Sequence, residues 1–188
     1  MVLAQRPLTL EQFVQLPEEE PALEYIDGRV TRKLSPKGPH GRLQGRIYLR
    51  FELFGLEHHL ACAFPETRVT IAGASVVPDV IVYRWERVPS DERGDIPEDF
   101  SEPPDIAVEI ASAGQTRKEL VDRCRWYVEH GVQVALLVLP RIRSVRVFRA
   151  GAELGPLTGS DHIDLGDVLP GFELAVDKLF DALRARPD

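Results

Sequence analysis

A carboxylate stands in the middle of an apolar strand. The run Ile106-Ala107-Val108-Glu109-Ile110 is compact and branched, the pattern of a strand buried on both faces. A helical pattern follows over 116–130 and ends at Gly131, a natural C-cap. The stretch 132–139 and the run 144–149 read as two further strands. This order fits a mixed sheet flanked by helices, an α/β fold.

The upstream half adds to that sheet. Thr9 stands as an N-cap with Gln12 in capping-box position, so a short helix should reach about Leu16 and stop before Pro17. A strand over 23–26, the two-residue turn Asp27-Gly28 and a return strand over 29–34 form a hairpin. From 40 to 57, Leu43, Ile47, Phe51 and Phe54 recur at helical spacing. Strands are expected near 60–64 and 66–71, and over 76–83, the last interrupted by Pro78-Asp79. Segment 86–102 reads as a loop, 150–170 as irregular, and 175–184 as a closing helix. No internal repeat appears. At 188 residues the chain suits one domain, 1–188, carrying a short N-terminal and a C-terminal helix. A core of that size buries roughly 70% of the unfolded surface and needs no staple.

Two distant cysteines, Cys62 and Cys124, argue against a disulfide framework or a zinc knuckle and for a reducing compartment. Residues 1–10 lack the apolar run of a signal peptide. The longest apolar stretch, 132–139, contains Gln133 and is too short to span a bilayer. The expectation is a cytoplasmic protein without membrane association. A formal net charge of −7 weighs against a surface that grips nucleic acid all over. It weighs less against a nuclease, whose metal-binding carboxylates count as negative until the ion arrives.

Three carboxylates sit where burial demands a partner. Asp79 follows Pro78 inside an apolar strand, and proline there favours an edge or a bulge. Glu109 lies within the 106–110 strand. Glu24 precedes the Asp27-Gly28 turn. A buried carboxylate is costly unless paired or metal-bound, and hard cations such as Mg²⁺ take oxygen ligands while keeping several waters. Taken singly, each carboxylate more often faces solvent or a salt bridge. The three together suggest one pocket on neighbouring elements of one sheet. His58 and His59 are adjacent, so on a helix they diverge.

These residues resemble a known bacterial family, the restriction-endonuclease-like proteins of the PD-(D/E)XK nuclease superfamily. The likeness runs from Leu8-Thr9-Leu10-Glu11-Gln12-Phe13 and Leu23-Glu24-Tyr25-Ile26-Asp27-Gly28 through Ser35-Pro36 and His40. It continues in Val77-Pro78-Asp79-Val80, Pro104-Asp105-Ile106-Ala107-Val108-Glu109-Ile110, Tyr127, Gly131-Val132 and Leu169-Pro170-Gly171-Phe172-Glu173-Leu174. The resemblance implies a restriction-endonuclease-like mixed sheet and a site in which Asp79 and Glu109 bind Mg²⁺ or Mn²⁺. Glu24 would be an accessory carboxylate that binds through water or holds a second ion, Arg123 would stabilise the developing phosphorane charge or orient the attacking water, and the activity would be DNA phosphodiester hydrolysis. The superfamily's lysine normally stands two residues after the Glu, where this chain has Ala111. In the family it moves to the following helix, where this chain has Arg123. Arginine keeps the charge but cannot act as a base. Lys118 is nearby in sequence but lies nearly opposite the helix's apolar face.

Other candidates carry weaker signals. Arg42, Arg46 and Arg50 form a basic stripe that could hold DNA phosphates, although such a stripe is more often a solvated face. Arg141, Arg143, Arg146 and Arg149 read as an exposed hairpin edge, where charge discourages unwanted pairing. Trp85 and Trp126 could stack bases, with Trp126 better suited to packing at a helix flank. Asp105 shares the face of Glu109 by alternation and reads either as a fourth ligand or as the polar start of its strand. The leading expectation is a metal-dependent DNA endonuclease that works as a homodimer, since two-fold assemblies suit a duplex. The alternatives are a nuclease-like scaffold that binds nucleic acid or a protein without cutting, and a structural or regulatory subunit.

Overall fold

The computed structural model describes residues 8–186; residues 1–7, within the stretch read above as lacking a signal peptide, lie outside them. Thr9 caps α1 (Leu10–Phe13) with the expected box: its hydroxyl accepts from the Gln12 amide and its own N–H donates to the Gln12 side chain. The hairpin follows as β1 (Leu23–Ile26) and β2 (Arg29–Arg32). Asp27 and Gly28 both take left-handed φ, 51° and 74°, the conformation whose twist matches paired strands. Next come α2 (Gly38–His58), β3 (Ala61–Pro65), β4 (Val69–Ile71), β5 (Ala74–Val76) and β6 (Val80–Arg84). The chain closes with β7 (Ile106–Ile110), α3 (Arg117–Glu129), β8 (Val134–Leu139), β9 (Ser144–Arg149), β10 (Ala152–Thr158) and α4 (Val176–Phe180).

Two sheets result. The smaller has the order β2-β1-β5-β4 and the larger β10-β9-β8-β7-β6-β3. In the larger, only β7 and β8 run parallel, and α3 is the crossover that parallel pairing requires. One face packs Val80, Val82, Val108 and Leu136 against Leu43, Ile47 and Phe51 of α2 and the C-terminal Phe172 and Leu179. The opposite face packs Ala107, Ala135 and Leu137 against Leu120, Cys124 and Tyr127 of α3, and Ala74 and Val76 of the small sheet join that cluster. Side chains alternate along a strand, so Glu109 shares the α3 face with Ala107.

Three sequence expectations are corrected. The strand expected over 76–83 is two strands in two sheets. Pro78 has no N–H to give a ladder, so pairing lapses at Val77-Pro78 and the chain passes from β5 to β6. The segment expected to be irregular contains β10, paired antiparallel with β9. Gly155 and Pro156 and a mostly exposed face erase its apolar alternation. As a result β9 is not an edge: Arg146 pairs with Glu153 of β10, and Arg149 pairs with Asp167. Among the described residues, no helix is long and apolar enough to cross a membrane.

Candidate active site

Asp79 and Glu109 are cross-strand neighbours. Val80 opposes Val108 in the antiparallel β6–β7 pair, so the preceding residue, Asp79, opposes Glu109. Both carboxylates point to the α3 face and are almost fully enclosed, Asp79 at 1% and Glu109 at 3% relative exposure. Like charges placed opposite each other repel, and here cations and hydrogen bonds bracket the pair. Oδ2 of Asp79 accepts the Ile110 amide at 2.7 Å, and Oδ1 receives the Lys33 ammonium at 2.7 Å. Lys33 also donates to the Val77 carbonyl at 2.7 Å. Nε2 of His40, at the start of α2, stands 3.3 Å from Oδ1, while its Nδ1 meets the Ser112 hydroxyl at 2.8 Å. Gln44, one turn along α2, donates to the Asp79 backbone carbonyl at 3.0 Å.

Glu109 and Glu24 share one arginine. Arg123 of α3 grips Glu24 with both terminal nitrogens, at 2.8 and 2.7 Å, in the two-pronged geometry that guanidinium allows. The same Nη1 reaches Glu109 Oε1 at 3.5 Å, and the Tyr127 hydroxyl donates to that oxygen at 2.6 Å. Oε2 of Glu109 accepts no hydrogen bond among the described residues. Arg123 and Tyr127 stand four residues apart on α3 and therefore on one face. Glu24 comes from β1 of the small sheet, at 3% exposure, and its Oε1 also accepts the Val77 amide at 2.9 Å. The structure thus brings Glu24, Asp79, Glu109 and Arg123 together, but across the seam between two sheets rather than along one.

The charges follow from these contacts. Burial would raise the Asp79 carboxyl, but the hydrogen bond from His40 and the charge of Lys33 outweigh it and hold the group below its usual range. For Glu109 burial wins, pushing the carboxyl up against the opposing charge of Arg123. Burial alone would depress Lys33, yet Asp79 and Glu109 hold its ammonium above the ordinary value. Burial and the Glu109 charge push the Tyr127 phenol well up, so it remains a hydrogen-bond donor.

A hard cation would meet an open oxygen at Glu109 Oε2 and would take Asp79 in competition with Lys33 and His40. Two buried carboxylates stand opposite each other, and Mg²⁺ uses one or two carboxylates with water completing its shell. No set of three His, Cys, Asp or Glu side chains among the described residues stands in metal-ligating geometry; Glu24 is occupied by Arg123 and Val77.

Other sequence candidates are used elsewhere. Asp105 is fully buried and bonds the Arg84 amide, Arg87 at 2.5 Å and Gln133, so it ties strands together at the far end of β7. Arg42 and Arg50 donate to the Ala182 and Glu173 carbonyls, and among the described residues Arg46 makes no such bond. Trp126 stacks on His130, and Trp85 donates to the Ala61 carbonyl. Lys118 pairs with Asp122 at the surface. Lys33 is the site residue that sequence reasoning misses. In a hairpin with a two-residue turn, Leu23 opposes Arg32 and Glu24 opposes Thr31. Ala22 then opposes Lys33, which puts Lys33 on the face of Glu24.

Comparison with known proteins identifies the fold. A crystal structure described as "a putative nuclease belonging to DUF820 from Anabaena variabilis ATCC 29413" superposes with a TM-score of 0.90 at 31% identity, covering 95% of this chain and 100% of that one. No match was found among curated proteins. The model of the Uma2 family, described as "Putative restriction endonuclease", matches residues 10–177. The chain therefore belongs to the Uma2 family of restriction-endonuclease-like proteins.

Proposed function

We propose that the protein is a divalent-metal-dependent DNA endonuclease. The observation that carries this reading is the buried, directly opposed pair Asp79 and Glu109, bracketed by Lys33 and Arg123. Asp79 and Glu109 would hold Mg²⁺ or Mn²⁺. The ion would supply Lewis acidity toward a phosphoryl oxygen and a more acidic bound water. Arg123 positions Glu24 and places positive charge beside Glu109. Lys33 brings an ammonium to the carboxylate pair from the hairpin, a second cation for charge developing on a phosphate. Tyr127 orients Glu109 by its hydroxyl.

Exposed Leu49, Leu53 and Leu56 leave an apolar row on α2 that a two-fold partner would cover, so we extend the proposal to a homodimer. Light scattering that returns monomer mass at every concentration rejects that extension.

The central test is cleavage of plasmid DNA with Mg²⁺ or Mn²⁺ at equal folded concentration. Asp79→Asn should abolish cutting, and Arg123→Ala should lower its rate on the order of 10²-fold, as for loss of one preorganised donor. Arg123→Lys should retain or raise it. If wild type is inert on varied DNA substrates, a scaffold that binds nucleic acid or a protein without cutting replaces this reading.

A further inference from the structure

Beside the carboxylates lies a cleft of about 650 Å³. Its walls are the first turn of α2, the loop 111–115, the start of α3 and the turn 139–142. We infer that this cleft seats a nucleic-acid strand, with Lys37, Arg117 and Arg141 taking its phosphates. The inference rests on the nuclease reading and gives the path of its substrate.

Charge is the first argument. The chain carries a formal −7, yet no Asp or Glu lines this cleft, while Lys37, Arg117 and Arg141 do. Most cations elsewhere are already engaged: Arg32, Lys33, Arg68, Arg84, Arg87, Arg123, Arg125, Arg146 and Arg149 all have carboxylate partners. Among the described residues Lys37, Arg117 and Arg141 have none, and all three are exposed. Three free cations around a concavity without acids complement a polyanion, and they do so on a protein whose overall charge would otherwise repel one.

Position is the second argument. His40 forms part of the cleft wall. Its ring bridges the Ser112 hydroxyl and Asp79 Oδ1, at 2.8 and 3.3 Å, so one side chain separates the cleft from the carboxylate proposed to hold the metal. A strand lying there would bring a phosphodiester to His40, one side chain from Asp79. The polar Ser112 and Gln115 edge is of the kind that bonds phosphate and sugar oxygens. The Arg42, Arg46 and Arg50 stripe does not line this cleft.

The test measures binding, not cutting. Fluorescence anisotropy of a short labelled oligonucleotide, single-stranded and duplex, is followed in EDTA over a range of KCl concentrations. Lys37→Ala, Arg117→Ala and Arg141→Ala should each lower affinity. Each should also flatten the slope of log K against log salt by about 0.7–0.9, the release of one counterion contact. The triple variant should lose about 10²-fold or more, while Arg93→Ala, at an exposed position outside the cleft, should bind no more weakly than wild type. A triple variant with wild-type affinity and salt slope overturns the cleft assignment. So does competition by poly-glutamate as strong as by DNA of equal charge, which would make the partner an acidic protein. DNA bound through these residues but never cut rejects the endonuclease reading alone. Cutting untouched by the triple variant rejects the cleft alone.

Discussion

Replacing Arg123 by Met removes the cation that two buried carboxylates share but keeps much of the aliphatic stem. Glu24 then retains the Val77 amide, and Glu109 retains the Tyr127 hydroxyl. Neither donor carries a charge. Removing one partner from a buried ion pair costs about 3–5 kcal/mol, because the other is left enclosed and uncompensated. The Arg123 side chain keeps 20% exposure, against 3% for each glutamate. Water therefore offsets part of the loss, and the expected value is near the lower bound, about 3 kcal/mol. At about 2–4 °C per kcal/mol for a chain of this size, Tm should fall by about 6–12 °C. Arg123→Lys should recover part of this, since an ammonium restores charge but not the two-pronged grip. The assay is urea unfolding in EDTA with an unchanged m-value, completed as a double-mutant cycle with Glu24→Gln. Glu24→Gln removes the charge that Arg123 neutralises, so the pair should couple by at least about 1 kcal/mol. A loss below about 1 kcal/mol, or additive single effects, would refute the claim that Arg123 compensates Glu24.

Tyr127→Phe removes a neutral donor to Glu109 and should cost about 1–3 kcal/mol in urea unfolding, the penalty of an unsatisfied buried group; a loss under about 0.5 kcal/mol would show that Glu109 does not depend on it. The pH dependence has two opposed parts. Asp79, held below its ordinary 3.8, contributes stability that is present above that value and lost as pH falls through its folded value. Glu109, raised above its ordinary 4.5, binds more protons folded than unfolded in the window above 4.5, so its contribution declines as pH rises there. Urea titrations across pH should show both limbs; Asp79→Asn should flatten the acid one and Glu109→Gln the other, and an unchanged profile in either variant counts against the assignment. Because a ligand carboxyl must lose its proton, Mg²⁺ or Mn²⁺ should bind with proton release and more tightly as pH rises. Calorimetry in buffers of different ionisation enthalpy reads this directly, and a buffer-independent heat would contradict it.

Much of this architecture is legible in the amino-acid order, and the parts that are not are hidden for physical reasons. β7 and β9 occupy their expected spans because a compact branched run tolerates one reading. The 116–130 helix forms as α3 with Gly131 just beyond it at φ 102°, the backbone state that glycine reaches at least cost. β10 is hidden because an exposed strand carries no apolar alternation. Glu24 is legible as a carboxylate in need of a partner, but not as a member of a second sheet, since Pro78 breaks the pairing without breaking the apolar pattern. Lys33 is hidden because it follows Arg29 and Arg32 in an exposed, polar return strand. The strand register alone separates it from them. Pairing of Arg123 with Glu24 spans 99 residues, and no local spacing encodes it.

The passage through Val77, Pro78 and Asp79 makes the seam between the sheets a built-in gauge. The Val77 amide is held by a carboxylate of one sheet, and two residues later the chain supplies a carboxylate to the other. If the small sheet lifts away while the large one stays folded, Val77 exchanges its amide proton in the same event that dismantles the carboxylate cluster. Hydrogen exchange at that single amide therefore measures how often the protein stands folded but unarmed, a population that thermal melting of the larger core cannot see.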